Sequence, residues 1–368
     1  MRSAASAPNR LESEHRLRIL HAPSNIAGIP GLLARAQRDL GFEATSVEYF
    51  PHEYGFRSDR SLGLERSDRR VKQAAAVGRF ALGALRRYDV FHFYFGNTLF
   101  PPPHPDLALL RALRKRVVFH FNGCEVRDRA ENLMTYEMSG CTECVTLACL
   151  SKRPPHPARA DAIFVATPDL LEFVPGAKLL PGPIDLGQWT PRSSWRTAFS
   201  ARDPVRILHA PSAPDIKGTR HLIDAVDRLN AAGYPVELMR LEGVPHSEVA
   251  RVAARADIAV DQLMMGAYGT VSVELMATGV PVVCRIRDDL WSLYPNDLPI
   301  VSAGPESIYE VLERLICEPA GWPALGRRGI EYVRREHEMH AVAARVLGEY
   351  GVESRTVDAA SAAFSRAR

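Results

Sequence analysis

The 368-residue chain has no apolar run near the ~18 residues that a membrane-spanning helix needs. Its first stretch, Met1 to His15, lacks the apolar segment of a secretory signal peptide, so we expect a cytoplasmic protein. The net charge of +3 is too small to indicate a nucleic-acid partner. These absences favour an ordinary globular protein of the cytoplasm.

A second C-x-x-C pair is also missing, although a zinc ribbon would have two such pairs. Cys141 and Cys144 form one pair, with Cys149 and Cys124 on either side. The spacing leaves open a structural zinc site, a redox pair or free thiols, and the cytosol disfavours stable disulfides. We expect no bound metal.

A long internal repeat is the most informative feature of the chain. The heptapeptide Arg-Ile-Leu-His-Ala-Pro-Ser occupies residues 18–24 and again residues 206–212. A glycine-containing loop, an apolar-periodic helix and a second β-like run follow each copy. The repeat therefore predicts two similar β-loop-α-β domains in tandem, each presenting a strand end and a helix N-terminus to a ligand.

Short apolar strands alternate with helical stretches in both halves, which predicts an α/β fold with parallel sheets covered on both faces. We expect a first domain over residues 17–190, a linker over 191–204 and a second domain over 205–339. A helix over 340–351 follows and is expected to pack on the first domain. The Ser/Ala/Arg-rich tails, residues 1–16 and 352–368, are expected to be disordered.

Basic residues cluster in a predicted helix between Arg57 and Arg87, namely Arg66, Arg69, Arg70, Lys72, Arg79, Arg86 and Arg87. This helix has either a solvated face or a surface for peripheral contact with anionic lipid headgroups. The Ala- and Gly-rich apolar face favours the solvated alternative, since it would insert poorly.

Two segments of the second half carry the residues expected to bind phosphate. Lys217 lies just after a strand end and just before a helix, where its ammonium can reach a phosphate held by the helix N-terminus. Tyr268 and Gly269 form a break before a helix for which Thr270 is the expected N-cap. Glu274 follows one turn later and can accept hydrogen bonds from a ribose diol.

Residues 274–283, Glu-Leu-Met-Ala-Thr-Gly-Val-Pro-Val-Val, resemble the signature of family 4 glycosyltransferases of the GT-B fold. Lys217-Gly218-Thr219 is similar to the Lys-Gly segment of that family. Pro181 through Pro191 resembles its domain junction. The resemblance spans about residues 17–350 and implies two Rossmann-like domains with parallel sheets that face each other across a cleft.

The resemblance also implies a nucleotide-sugar donor, most simply UDP-linked, with no further cofactor. Lys217 would bind the diphosphate, Glu274 the ribose, and the backbone of Gly269 and Thr270 the phosphates. The base would lie near residues 242–244. The full set of donor-site residues expected is Ser212, Lys217, Glu242, Gly243, Val244, Tyr268, Gly269, Thr270, Val271 and Glu274.

The sequence departs from the family pattern at two places. Ser212 stands where an arginine usually binds phosphate, and Gly266 stands where a glutamate usually contacts the sugar. His209 is either a substitute phosphate ligand, if protonated, or a hydrogen-bonded core residue.

First-domain residues complete the expected site. Asn122-Gly123-Cys124-Glu125 resembles the strand-end His-Gly-x-Asp of the family, and His120 is expected on the same strand face as Asn122. Either side chain could meet the sugar, or both could be satisfied core residues. Asn25, Gly28 and Gly31 form a loop expected to border the ligand, where glycine permits close backbone approach.

These features predict a retaining, metal-independent hexosyltransferase with Lys217, Glu274, His120 and Asn122 in catalytic roles. Its acceptor would belong to carbohydrate or natural-product biosynthesis. Two alternatives share the fold: a sugar-nucleotide epimerase or hydrolase, and a catalytically silent subunit that binds a partner.

Overall fold

The computed structural model describes residues 17–145, 149, 154, 157–353 and 357–358. Of the two predicted disordered tails, residues 1–16, 354–356 and 359–368 lie outside the described residues. The described chain forms two α/β units, each built on an entirely parallel sheet. The prediction of two doubly wound domains is therefore confirmed.

The first unit has a seven-stranded sheet in the order β3-β2-β1-β4-β5-β6-β7. Its strands are Arg18–Ala22 (β1), Glu43–Glu48 (β2), Arg60–Ser61 (β3), Val90–Tyr94 (β4), Arg116–Phe121 (β5), Ala162–Val165 (β6) and Lys178–Leu179 (β7). Its helices are Ile29–Asp39 (α1), Arg70–Arg87 (α2), Asp106–Ala112 (α3), Arg129–Thr135 (α4) and Gly140–Glu143 (α5).

The second unit has a five-stranded sheet in the order β12-β11-β10-β8-β9. Its strands are Val205–His209 (β8), Val236–Arg240 (β9), Ile258–Val260 (β10), Val282–Val283 (β11) and Ile300–Val301 (β12). The helices that follow β8 are Pro214–Lys217 (α6), Thr219–Ala231 (α7), His246–Ala253 (α8), Thr270–Ala277 (α9), Ile308–Cys317 (α10), Trp322–Glu336 (α11) and Met339–Glu349 (α12).

Strand order reverses direction beside the first strand of each sheet, between β1 and β4 and between β8 and β10. In open parallel sheets, ligands bind outside the carboxyl ends of the strands at such a switch point. In the second sheet this position is bordered by the loops that carry Lys217 and Gly269. The fold thus places the two predicted phosphate-binding segments beside each other.

The repeated heptapeptide has the same internal role in both units. His21 at the end of β1 bonds through Nε2 to Gln37 of α1 at 2.8 Å, and His209 at the end of β8 bonds through Nε2 to Thr219 of α7 at 2.8 Å. Burial lowers the pKa of both imidazoles, to about 4 for His21. Each imidazole is neutral and joins a strand to the next helix by a hydrogen bond. Of the two alternatives for His209, the structure therefore supports the hydrogen-bonded core residue and not the cationic phosphate ligand.

The chain crosses between the two units twice. After the first crossing through residues 184–204, helix α11 leads back, and α12 packs on α1 with Met339, Val342 and Val346 buried in the core of the first unit. The two crossings touch, because the Ile184 N–H donates to the His337 carbonyl at 2.7 Å and the Met339 N–H donates to the Ile184 carbonyl at 3.1 Å.

A second contact between the units lies beside Lys217. Helix α5 of the first unit packs on α6, and Glu143 accepts hydrogen bonds from Arg220 at 2.7 Å and from His221 at 2.8 Å. The Val145 N–H donates to Asp215 of α6 at 2.9 Å. The short helix that ends at Lys217 belongs to the second unit and is therefore also held in place by the first unit.

Helix α2 buries only Phe80, Ala81 and Ala84. The basic residues of the predicted cluster from Arg66 to Arg87 are exposed. Their contact with anionic lipid stays a prediction. Within the described part of the chain, no helix combines the length and the apolar character required to cross a membrane.

Candidate active site

Two adjoining cavities occupy the space between the units. The larger, of about 1060 Å³, is bordered by Gly28 and Asn122 of the first unit and by Tyr268 and Thr270 of the second. The smaller, of about 380 Å³, lies against the switch point of the second sheet. Thr270, Glu274 and His246 line both, so the two cavities form one continuous cleft.

Lys217 and Glu274 both line the smaller cavity, together with Ser212, Gly243, Val244 and Val271. Among the described residues that line it, Lys217 is the only lysine or arginine. Ser212, in the place of the family's arginine, contributes its carbonyl group, which accepts a hydrogen bond from the Tyr54 hydroxyl at 3.4 Å. A bound anion would therefore meet a single cationic side chain.

Lys217 is held by a buried polar network. Its Nζ donates to Asp261 Oδ1 at 3.0 Å and to Gln262 Oε1 at 2.6 Å. Burial by itself would raise the pKa of Asp261, but Lys217, the Ser272 hydroxyl and the Gly269 N–H together bring it below its usual value. Asp261 is thus an anion, and it fixes the ammonium group of Lys217 at the cavity wall.

The start of α9 provides the second element of an anion site. Gly269 is the residue before the helix, so Thr270 is the first helical residue and not the N-cap that the sequence predicts. The Gly269 N–H is already used, since it donates to Asp261 Oδ2 at 3.0 Å. The N–H groups of the first turn from Thr270 onward have no carbonyl four residues earlier in the helix, and they remain the donors for a phosphate.

Glu274 lies one turn further along α9 and is buried, with 4% of its surface exposed. Its Oε1 accepts a hydrogen bond from His246 Nε2 at 2.5 Å. Its Oε2 is buried and has no hydrogen-bond partner among the described residues. Burial raises the pKa of Glu274 and His246 opposes that shift. One carboxylate oxygen is therefore engaged and the other is available.

The loop of residues 52–58 in the first unit, here termed the capping loop, closes the smaller cavity. The Tyr54 carbonyl accepts from the His246 N–H at 3.1 Å, and the Phe56 ring lies 4.4 Å from the His246 ring between centroids. Asn25 Nδ2 donates to the Phe56 carbonyl at 3.0 Å, and a Cβ on Gly28 would lie 2.9 Å from Phe56 Cδ1. Asn25 and Gly28, expected to border the ligand, support this loop.

Gly31 has a similar use, since a Cβ there would lie 2.6 Å from the Arg57 carbonyl oxygen. The close backbone approach that the sequence predicts at this loop is therefore the approach of the capping loop. Gly28 and Gly31 also line the larger cavity.

Asn122 lines the larger cavity just beyond the end of β5. Both polar atoms of its side-chain amide are buried without a partner among the described residues, and its N–H donates to Glu125 Oε1. Burial raises the pKa of Glu125 to about 7. An amide with unused donor and acceptor groups at a cavity wall is suited to bind a hydroxyl group.

His120 lies elsewhere than the sequence predicts. Its side chain is fully buried, with its ring 5.7 Å from that of His92 and 5.4 Å from that of Tyr94. The strand β5 ends at Phe121, so the alternation that would place residues 120 and 122 on one face ends before Asn122. His120 is therefore a core residue beneath the sheet, and its expected place in the cleft is wrong.

Two other expected donor-site residues, and Gly266 at a position that departs from the family pattern, have clear positions. Glu242 pairs with Arg240, with Oε1 2.6 Å from Nε, and lines neither cavity. Tyr268 lines the larger cavity, while its hydroxyl bonds to Tyr332 at 3.0 Å and to His337 at 3.1 Å. Gly266 has a φ of +79°, and its carbonyl accepts from the Arg287 N–H, so a glutamate there would be strained.

Cys124 and Cys141, two of the cysteines that could have formed a zinc site, are free thiols. Cys124 Sγ lies 3.5 Å from Arg127 Nη1, and burial raises the pKa of the Cys124 and Cys141 thiols. Within the part of the chain that the structure describes, no three His, Cys, Asp or Glu side chains are arranged to hold a metal ion.

Sequence reasoning missed His246, Asp261 and the capping loop. Asp261 directly follows a buried strand at the switch point, which is a usable signal for a partner of Lys217. His246 had no such signal, because its contacts are distant along the chain: Glu274 is separated from it by 28 positions and Phe56 by 190. The capping loop is polar and irregular, and its function follows only from the arrangement of the two units.

Comparisons with known proteins agree with this architecture. Residues 215–348 match a family model described as glycosyl transferase-like. No curated protein sequence matches the chain significantly. The chain is similar in structure to sucrose-phosphate synthase from Thermosynechococcus elongatus, with a TM-score of 0.58 and 16% identity over 90% of this chain and 98% of that one.

Two further similar structures contain nucleotides. Anabaena HepE in complex with UDP and glucose has a TM-score of 0.59 and 11% identity over 92% of this chain and 100% of that one. The catalytic domain of starch synthase IV from Arabidopsis thaliana, bound to ADP and acarbose, has a TM-score of 0.58 and 13% identity over 93% and 99%. The chain therefore has the GT-B fold, and its residues 215–348 are similar to the glycosyl transferase-like family.

Proposed function

We propose that the protein is a glycosyltransferase that moves a sugar from a UDP-sugar to an acceptor hydroxyl in the cleft, with retention of anomeric configuration. One observation carries the proposal: Lys217, the start of α9 and the buried carboxylate of Glu274 border a single cavity on the second unit. A cation and helix N–H groups suit a diphosphate, and a carboxylate one helical turn away suits a ribose diol.

The two cavities divide the substrates between the units. The nucleotide would occupy the smaller cavity, with its base near Gly243 and Val244. The sugar would lie where the cavities join, beside Thr270, and the acceptor would enter the larger cavity near Asn122. The amide of Asn122 would bind a hydroxyl of the sugar or of the acceptor.

The bond between the anomeric carbon and the β-phosphate oxygen would break, and its electron pair would leave with UDP. The acceptor oxygen would bond to the anomeric carbon on the face that UDP leaves, and the acceptor proton would pass to the leaving phosphate. Lys217 and the N-terminus of α9 would stabilise the negative charge that develops on that phosphate. We propose a metal-independent reaction, as the resemblance to family 4 glycosyltransferases implies.

The choice of uridine rests on one similar structure, and the size of the smaller cavity supports a small-molecule ligand in general. Anabaena HepE, of similar structure, is described in complex with UDP and with UDP-glucose. The cavity of about 380 Å³ is of the size usual for a small-molecule site.

A catalytically silent nucleotide-binding subunit is the second candidate. It is favoured by the pairing of Lys217 with Asp261, which neutralises the charge of this lysine at the smaller cavity, and by Ser212 and Gly266 at two family positions. Such a subunit would bind UDP without transferring sugar.

The test combines binding with turnover. Calorimetry with UDP, ADP and GDP measures nucleotide preference, and release of UDP from UDP-hexoses in the presence of a panel of hydroxyl acceptors measures transfer. We expect UDP to bind most tightly and at least one UDP-hexose to react, with the product anomer identified by NMR. Binding without turnover on any donor would favour the silent subunit, and absence of nucleotide binding would refute both candidates.

A further inference from the structure

His246 lies at the point where the two units and the nucleotide cavity meet. It is the first residue of α8 in the second unit, and it lines both cavities. Its ring lies close to the carboxylate of Glu274, to the Phe56 ring and to the Trp189 ring, whose centroid is 5.7 Å away. One side chain thus touches α9, the capping loop and the domain junction.

The bond from His246 to Glu274 affects the carboxylate directly. It occupies Oε1 and leaves Oε2 as the acceptor that can face a ligand. A buried carboxylate without this hydrogen bond would favour its protonated form, which is a weaker acceptor for a hydroxyl. His246 therefore orients Glu274 and opposes the rise in its pKa that burial causes.

The ring of His246 reaches the capping loop on its other side. Phe56 packs against it, and Phe56 is itself fixed by the Asn25 side chain and by the space at Gly28. The His246 N–H donates to the Tyr54 carbonyl, and the Tyr54 hydroxyl reaches Ser212 on the far side of the smaller cavity. A continuous set of contacts joins the first unit to Glu274 through one imidazole ring.

We propose that His246 is a positioning residue that couples binding of the nucleotide ribose at Glu274 to closure of the capping loop over the nucleotide. The inference rests on the proposed function. Ribose binding at Oε2 holds the Glu274 carboxylate, the carboxylate holds the His246 ring, and the ring provides the surface on which Phe56 packs. An empty pocket would leave the loop freer to open, so that a nucleotide can enter.

Two substitutions separate the two contacts of His246. His246→Gln keeps an N–H donor for Glu274 and removes the ring that Phe56 contacts. His246→Phe keeps an aromatic ring for Phe56 and removes the hydrogen bond. His221→Ala is the matched control, because His221 also bonds through Nε2 to a carboxylate, that of Glu143 at 2.8 Å, and lies outside both cavities.

The first measurement is UDP affinity by calorimetry. We expect His246→Phe to bind UDP about tenfold or more weakly, as for loss of a hydrogen bond to a charged group. The UDP affinity of His246→Gln and His221→Ala should stay within about threefold of the wild type, because both variants keep a hydrogen-bond donor for Glu274 at residue 246. Circular dichroism and melting temperature establish that each variant is folded.

The second measurement is amide hydrogen exchange of residues 52–58 with and without saturating UDP. We expect UDP to slow this exchange in the wild type and in His221→Ala, and to leave it unchanged in both His246 variants. A purely structural role of His246 would change exchange equally with and without UDP.

The outcomes decide between the proposals. If UDP slows exchange of the capping loop equally in the wild type and both His246 variants, the coupling is overturned while the glycosyltransferase assignment stands. If His246→Gln binds UDP as weakly as His246→Phe, the hydrogen bond does not position Glu274. If the wild type binds no nucleotide, the proposed function fails and the coupling fails with it.

Discussion

Lys217 Nζ lies 3.0 Å from Asp261 Oδ1, and the carboxylate that it pairs with is 2% exposed. Lys217 therefore has two separable functions, since its charge compensates a buried anion and also faces the cavity. Any substitution of this lysine affects the stability of the second domain as well as the binding of a phosphate. The first prediction is designed to separate these effects.

Lys217→Ala should lower sugar transfer by about a hundredfold, because it removes the cationic side chain that stabilises the leaving diphosphate. It should also lower the free energy of unfolding by about 3 kcal/mol, because Asp261 is left buried and unpaired. Steady-state turnover with UDP-sugars and urea denaturation measure the two effects.

The double variant Lys217→Ala/Asp261→Asn is the control, because the amide keeps an acceptor for Gly269 and Ser272 without a net charge. It should regain most of the lost stability and none of the lost activity. Recovery of turnover in the double variant would mean that Lys217 is structural only.

Glu274→Gln should weaken UDP binding about tenfold, since a carboxylate that accepts hydroxyl groups is replaced by a neutral amide. The melting temperature should change little, because the amide oxygen can still accept from His246. Calorimetry with UDP measures the affinity, and Glu242→Gln, a carboxylate outside the cavities, is the matched control. Equal affinity of both variants and the wild type would refute the ribose role.

His120→Phe should leave sugar transfer unchanged, since the ring of His120 lies in the core and not in the cleft. Burial lowers the pKa of His120 to about 3, so between about pH 3 and pH 6.5 only the unfolded chain binds a proton there. This contribution makes the wild type less stable as the pH falls. The urea midpoint of the variant relative to that of the wild type should therefore be higher at pH 5 than at pH 8. A loss of turnover in the variant would instead restore a catalytic role for His120.

Glu125→Gln should have the opposite pH dependence. Burial raises the pKa of Glu125 to about 7, so between about pH 4.5 and pH 7 the folded protein retains a proton that the unfolded chain has lost. The wild type is therefore destabilised as the pH rises through this range. The variant should gain stability over the wild type at pH 8 relative to pH 5 in urea denaturation, and the partly exposed Glu248→Gln should show no such gain.

Much of the fold follows from local sequence patterns. Continuous apolar runs such as Val90–Tyr94 and Val117–Phe121 predict buried parallel strands, and the repeated heptapeptide predicts that both domains begin alike. The two-residue strand Arg60–Ser61 escaped prediction because it is polar and exposed at the sheet edge. No apolar signal distinguishes such a strand from a loop.

The site was less predictable, for a physical reason. Lys217 and Glu274 are both close to helix starts, where local rules for anion binding apply. His246 and Phe56 meet only because two domains face each other, and neither residue has a local pattern that indicates this. His120 was misplaced because strict alternation was extended one residue past the end of β5.

The pair of chain crossings has a consequence for how the cleft can move. A single linker would let two domains swivel about any axis, but here residues 184 and 338, on opposite crossings, are hydrogen-bonded like neighbouring strands. Two connected crossings restrict the relative rotation of the domains to one axis, which runs through both segments. We therefore expect any opening of the cleft to occur about that line, with little twisting, so that closure would bring His246 and Phe56 back into contact.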